Sequence, residues 1–189
     1  MNITPVTYEG VYGPFTVTAE DRREVLLYRL SFLVVALAQI AALAQWRLLG
    51  PAWCWPWLLL LLAGLGGALR WVHIYLRPLH RTLQLFWLLG CCGFAFLAWR
   101  AGLDGLLPEL VHQPLWIWAV GPAFAALAGL GFKEFFCFQR AEAIGLTLLL
   151  PVSLLGRLTG LIEPALSLIL LLTAALLLVV LAKVDLAVQ

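Results

Sequence analysis

Charged residues recur at intervals along this chain and divide it into six long apolar runs. Hydrophobic residues make up 63% of the 189-residue sequence, and charged residues make up only 12%. Soluble domains are roughly half apolar and about 25% charged, so a soluble fold of this length cannot bury so much apolar surface. Lipid is therefore the expected solvent for most of these side chains, and the sequence predicts a polytopic membrane protein.

The fold class that we predict is all-α, a helical bundle with six transmembrane helices. Each apolar run is close to the roughly 20 residues that a bilayer requires, and proline or glycine marks most run ends. The predicted helices are 19–49, 52–70, 78–99, 114–132, 142–158 and 164–181. Thr18 has the position of a helix N-cap. We therefore divide the chain into a polar N-terminal segment, residues 1–18, and a single six-helix transmembrane domain, residues 19–189.

The positive charges predict how this bundle is oriented. Nine of the twelve Lys and Arg residues belong to one side: Arg22, Arg23, Arg29, Arg70, Arg77, Arg81, Lys133, Arg140 and Lys183. Positive residues are retained in the cytoplasm, so both termini are predicted to be cytoplasmic, or stromal in a photosynthetic membrane. Indole rings prefer the membrane interface, and seven of them fall on the opposite side: Trp46, Trp53, Trp55, Trp57, Trp99, Trp116 and Trp118.

The first polar island is WVHIYLRPLHRTLQ, residues 71–84. A helical course puts His73, Arg77 and Arg81 on one face, with His80 close to it. The simplest interpretation is an interfacial segment whose cations contact lipid phosphates. The alternative makes His73 and His80 ligands of a metal or haem, but seven helical residues separate them by about 10 Å, too far for one ion unless the backbone breaks at Pro78. We therefore predict no metal site, and the identity of any cofactor stays unknown.

The second polar island is GFKEFFCFQRAEA, residues 131–143, on the same predicted side. The simplest interpretation is that Lys133 extends to the interface and Glu134 pairs with a neighbouring cation. A functional interpretation joins the two islands into one candidate cluster at the cytoplasmic mouth of the bundle. Its members are His73, Arg77, His80, Arg81, Lys133, Glu134, Cys137 and Arg140. Such a cluster could hold an anionic headgroup or an acidic partner surface.

Two chemical roles follow for members of this cluster. His80 and Glu134 are candidates for general acid–base work, and Cys137 is a candidate nucleophile or redox thiol. The sequence alone does not place His80 and Glu134 in contact, so it leaves open whether residues 71–84 and 131–142 form one site.

Two other functional classes are disfavoured by the distribution of charge. No Asp, Glu, Lys or His falls at a predicted mid-bilayer position, which argues against a pump or an ion-coupled transporter. The formal net charge is only +2 and no dense basic run occurs, so we expect no nucleic-acid partner.

Three stretches resemble an uncharacterised family of integral membrane proteins known from cyanobacteria and plastids, domain of unknown function 2301. They are VYGPFTVTAEDRREVLLYRL, HIYLRPLHRTLQLFWLLG and GFKEFFCFQRAEAIGLTLLLP. The resemblance implies a thylakoid or plasma membrane in an oxygenic phototroph. It carries no settled activity and so assigns no catalytic residues.

These observations favour a non-enzymatic membrane protein that assists assembly or stability of a larger complex, and the resemblance makes a photosynthetic complex the expected one. Its partners would be membrane lipids and subunits of that complex. The alternative is a membrane-embedded enzyme or cofactor-binding protein that acts on a lipid, quinone or tetrapyrrole through His73, His80, Glu134 and Cys137. The sequence does not decide whether the protein is an enzyme.

Overall fold

A computed structural model describes residues 6–10, 13–74 and 76–183, and the predicted all-α fold class is confirmed for the body of the protein. Seven α-helices lie within these described residues. They are α1 Ala19–Leu49, α2 Trp55–Trp71, α3 Arg77–Ala101, α4 Leu106–His112, α5 Ile117–Phe138, α6 Ala141–Leu158 and α7 Pro164–Ala182. The short α4 and the 3₁₀ turn Pro114–Trp116 that follows it were not predicted, and both lie in the connection between α3 and α5.

A β-hairpin precedes the helices. Strands β1 Val6–Gly10 and β2 Gly13–Val17 pair antiparallel, an arrangement that the description of residues 1–18 as a polar segment did not include. The predicted N-cap of α1 is confirmed. The Thr18 hydroxyl accepts from the Asp21 amide at 3.2 Å, and the Asp21 carboxylate accepts from the Thr18 amide at 2.9 Å. This reciprocal capping box satisfies two backbone donors and sets the first residue of α1.

Five helices are long and apolar enough to cross a membrane: α1, α3, α5 with its preceding turn, α6 and α7. Helix α2 has 17 residues, which is at the lower limit of the length that a bilayer requires. Helix α1 has 31 residues and a length of about 46 Å, so it extends beyond a hydrocarbon core of about 30 Å. Six crossings therefore stay a prediction.

The six long helices pack as a ring in which α1 contacts α2, α2 contacts α3, α3 contacts α5, α5 contacts α6, α6 contacts α7, and α7 contacts α1. Helices α1 and α2, and likewise α6 and α7, are joined by short connections and pack against each other. Helix α6 continues through Pro151. Helices α3 and α5 approach closely at Gly93, which has no Cβ. A Cβ at this position would overlap the carbonyl of Ala119.

Side-chain contacts define the two ends of the ring. At one end, which we call the basic end, α1 begins and α7 ends, and Arg29 donates to the Leu181 carbonyl at 2.9 Å. At the other, which we call the tryptophan end, the amide of Trp53 donates to Asp104 at 2.8 Å and the Trp116 indole to Glu109 at 3.2 Å. Which end faces the cytoplasm stays a prediction, and residues 1–5 and 184–189 lie outside the described chain.

Candidate functional site

A buried ionic cluster occupies the basic end, and the Glu134 carboxylate is its centre. The side chain of Glu134, on the last turns of α5, is fully buried. Its Oε1 accepts from the Tyr28 hydroxyl at 2.8 Å and from Lys133 Nζ at 3.1 Å, while Oε2 accepts from Arg29 Nη1 at 2.8 Å. A buried carboxylate requires this kind of pairing, because removing it from water without hydrogen-bonding partners is very costly.

Lys133 turns inward. Its side chain is only 8% exposed, and Nζ lies 5.2 Å from the centroid of the Tyr28 ring. The prediction that Lys133 extends to the interface is therefore wrong, because the Glu134 carboxylate and the Tyr28 ring offer the ammonium group an internal environment. The prediction that Glu134 pairs with a neighbouring cation is confirmed.

Two arginines join the end of α7 to the rest of the bundle. Besides binding Glu134, Arg29 donates to the carbonyl of Leu181, and Arg140 donates to the carbonyl of Val180 at 3.3 Å. Carbonyls in the last turn of a helix have no partner within the helix, and the helix dipole favours cations there. Arg29 on α1 and Arg140 at the start of α6 therefore cap α7.

The histidines of the first island have different partners. His80, near the start of α3, forms a 2.8 Å hydrogen bond with the carbonyl of Leu69 on α2. The His73 ring lies 2.9 Å from the Glu24 carboxylate on α1 and is 62% exposed. Arg77 and Arg81 are exposed on α3. The structure thus brings Lys133 and Glu134 together, whereas the hydrogen bonds of His73 and His80 go to α1 and α2.

Asp21, Glu24 and His73 offer ligand atoms that all lie within 4.8 Å of one another, the spacing of a possible metal site. Sequence spacing did not indicate this group. However, Asp21 belongs to the capping box of α1, and Glu24 already contacts His73. The capping box of α1 and the contact between Glu24 and His73 account for the arrangement.

The cysteines differ in their surroundings. Cys137 lies exposed near the end of α5. Cys54, at the tryptophan end, is buried, and this burial, with a smaller effect of Asp104, raises the pKa of its thiol. The thiolate is the reactive form, so Cys54 is a poor nucleophile.

Tyr28 and Arg29 are the site residues that the sequence interpretation missed. The sequence interpretation used Arg29 only as one of the positive charges that set the orientation of the bundle. Arg29 lies ten residues after the start of α1, and no other cation occurs between it and Arg47. An arginine at that depth needs an internal partner, and this signal could have identified it. The resulting cluster is closed around Glu134, so it acts as an internal ionic tie among α1, α5 and α7.

Comparison with known proteins places the chain in a family. A family model described as "Uncharacterized integral membrane protein (DUF2301)" matches residues 67–188. The chain belongs to this family. The second and third stretches that carry the resemblance lie inside the match, and the first, residues 11–30, lies outside it. No curated protein and no solved structure matches the chain. Membership in DUF2301 identifies an integral membrane protein and gives it no activity.

Proposed function

We propose that this protein is a non-catalytic membrane protein that assists the assembly or stability of a larger membrane complex. The observation that carries this proposal is that both candidates for general acid–base catalysis, Glu134 and His80, are hydrogen-bonded to other parts of the bundle. Glu134 is fully buried among Tyr28, Arg29 and Lys133, and His80 is bound to a backbone carbonyl of α2. A general acid or base must reach the proton that it transfers, and among the described residues the Glu134 carboxylate is occupied by its structural partners Tyr28, Arg29 and Lys133.

The proposal includes six membrane crossings with both termini in the cytoplasm or stroma. The positions of the nine cations support this orientation, because positive residues are retained on the side of synthesis. The sixth crossing is α2, whose 17 residues include only one charged side chain, Arg70, at its basic end. Helix α2 is about 26 Å long, slightly shorter than a hydrocarbon core of about 30 Å, and slight local thinning of the bilayer would let it cross.

The docking surface is the exposed basic edge of α3, formed by Arg77 and Arg81. These two side chains are one helical turn apart, so they lie on the same face, and Leu76 beside them is 65% exposed. Two cations beside an apolar side chain suit an acidic, partly apolar surface on a partner subunit. The family resemblance makes a photosynthetic complex the expected partner.

Affinity purification from membranes solubilised in mild detergent tests this proposal. Wild-type protein should co-purify with other membrane subunits, and the double substitution Arg77→Glu with Arg81→Glu should release them. Arg47→Glu is the matched control, because Arg47 is also exposed but lies at the tryptophan end. Recovery of the wild-type protein alone, at monomer size, would contradict the proposal. If only anionic lipid is lost from the double variant, the edge binds headgroups and not a subunit.

A further inference from the structure

A cavity of about 130 Å³ lies inside the ring at the tryptophan end. It reaches from Trp46 and Arg157 near the helix ends to Gln39 and Leu171 deeper in the bundle. Gln39 precedes Trp46 by seven residues of α1, so it lies about 10 Å further into the bundle. Among the described residues, the remaining lining is apolar except for Ser167.

Gln39 carries a polar atom whose hydrogen-bonding capacity is unused within the described residues. The side chain is 4% exposed, and its Nε2 donates to the carbonyl of Leu171 at 2.8 Å. Because a backbone carbonyl only accepts hydrogen bonds, the amide nitrogen of Gln39 must be the atom that faces Leu171. The amide oxygen, Oε1, therefore points elsewhere. Oε1 is buried and has no hydrogen-bond partner among the residues that the structure describes. Buried polar atoms in native proteins are nearly always satisfied, so a donor is required here.

The surroundings favour a donor carried by an apolar molecule over a water molecule. A buried water usually makes about three hydrogen bonds. Two of the other polar side chains that line the cavity already have partners: the Ser167 hydroxyl lies 2.7 Å from the Ser153 hydroxyl, and Arg157 donates to the carbonyls of Val111 and Ile162. A hydroxyl group on a hydrocarbon needs only the one acceptor, and its remainder suits the apolar wall.

A second cavity, of about 260 Å³, adjoins the first. The two share Ile117, Phe124 and Leu154 as lining residues. The second is lined also by Trp118 and Leu155, which are 71% and 53% exposed on the outside of the bundle where lipid is expected. An apolar tail can therefore lie between the inner cavity and the surrounding lipid.

From these observations we propose that the two cavities bind a lipid-soluble alcohol or phenol. Its hydroxyl group donates to Gln39 Oε1, one ring or short branch fills the inner cavity, and the apolar tail occupies the outer one. The size is suitable, since an engineered apolar cavity of about 150 Å³ in another protein holds benzene. This site lies at the opposite end of the bundle from Arg77 and Arg81, so the inference stands independently of the proposed function.

A matched pair of probes tests the inference in phosphatidylcholine nanodiscs that contain the whole protein. The probes are 4-hexylphenol and hexylbenzene, which differ by one hydroxyl group, and binding is followed by quenching of tryptophan fluorescence after correction for partition into lipid. Wild-type protein should bind the phenol about tenfold more tightly, the factor expected for one net hydrogen bond to a buried acceptor.

Three variants make the test specific. Gln39→Leu should remove the tenfold difference and keep the affinity for hexylbenzene, whereas Gln45→Leu, a change of the same type outside the cavity, should keep the difference. Ala42→Leu, which fills part of the inner cavity, should weaken both probes. Equal affinity for the two probes in wild-type protein, or binding of neither, would overturn the inference and leave Gln39 to water.

Lipid extraction then identifies the natural source of the hydroxyl group. Mass spectrometry of extracts from purified wild-type protein and from Gln39→Leu should show one molecule enriched only in the first. A prenylated quinol and an aliphatic isoprenoid alcohol differ in mass and absorption, so the same extract distinguishes them. If the two extracts have identical contents, no hydroxyl ligand depends on Gln39, and the inference fails.

Discussion

Replacing Glu134 with glutamine should destabilise the bundle far more than a similar change at an exposed carboxylate. Glutamine has nearly the same shape but only one acceptor oxygen, and its amide nitrogen is a donor. That nitrogen must face either Arg29 or the pair formed by Tyr28 and Lys133, all of which are donors to Glu134. Glu134→Gln therefore leaves at least one buried cation facing a donor.

The size of the effect follows from the contacts that remain. Removing one partner of a buried ion pair costs about 3–5 kcal/mol. Arg29 keeps its bond to the Leu181 carbonyl, so we expect the lower end of that range, about 3 kcal/mol. For a chain of this size, each kcal/mol shifts the Tm by about 2–4 °C, which gives a decrease of roughly 6–12 °C.

Thermal unfolding in one detergent, followed by intrinsic tryptophan fluorescence, measures this decrease. Glu142→Gln is the matched control, because the Glu142 carboxylate is 37% exposed and lies 3.8 Å from Arg140. An exposed pair of this kind contributes at most about 1 kcal/mol, so its Tm should fall by less than about 4 °C. Equal shifts for the two variants would refute the interpretation of the Glu134 cluster as a structural tie.

Three further predictions concern other parts of the bundle. Gly93→Val should lower the Tm by several degrees because its side chain meets the α5 backbone, whereas Gly121→Ala, which meets only ordinary contacts, should change it little; thermal melts that rank the two variants the other way would contradict the α3–α5 packing. A membrane-impermeant maleimide should label Cys137 only from the cytoplasmic face of sealed vesicles, and labelling from the other face would reverse the orientation. Cys54 should stay unlabelled near neutral pH until the protein unfolds, because burial and a raised thiol pKa both suppress its thiolate; rapid labelling of folded protein would show that this thiol is accessible.

The sequence predicted the helical framework because helices that cross a lipid bilayer need long apolar runs, and such runs are easily recognised in a sequence. Apolar runs bounded by proline, glycine and charge marked all six long helices, and Thr18 as the predicted N-cap placed the start of α1 at the observed residue. The hairpin of β1 and β2 was missed because two short strands carry little periodic signal. Helix α4 was missed because its seven residues are too few for a clear helical period.

The candidate site was predicted only in part, because some of its contacts join residues that are far apart in the sequence. Lys133 and Glu134 are adjacent in sequence, so their pairing was accessible, but Arg29 reaches Glu134 from a residue 105 positions earlier. That contact depends on how α1 and α5 sit in the ring, which local pattern does not specify. The same limit applies to Gln39, whose amide meets α7 at Leu171.

Native electrophoresis of membranes from cells that lack this protein tests the proposed assembly role most directly. We predict that at least one assembled membrane complex falls in amount, and that it returns when wild-type protein is supplied but not when the Arg77→Glu, Arg81→Glu variant is supplied. Unchanged complexes, together with an altered lipid, quinone or pigment composition, would contradict the account and favour a membrane-embedded enzyme.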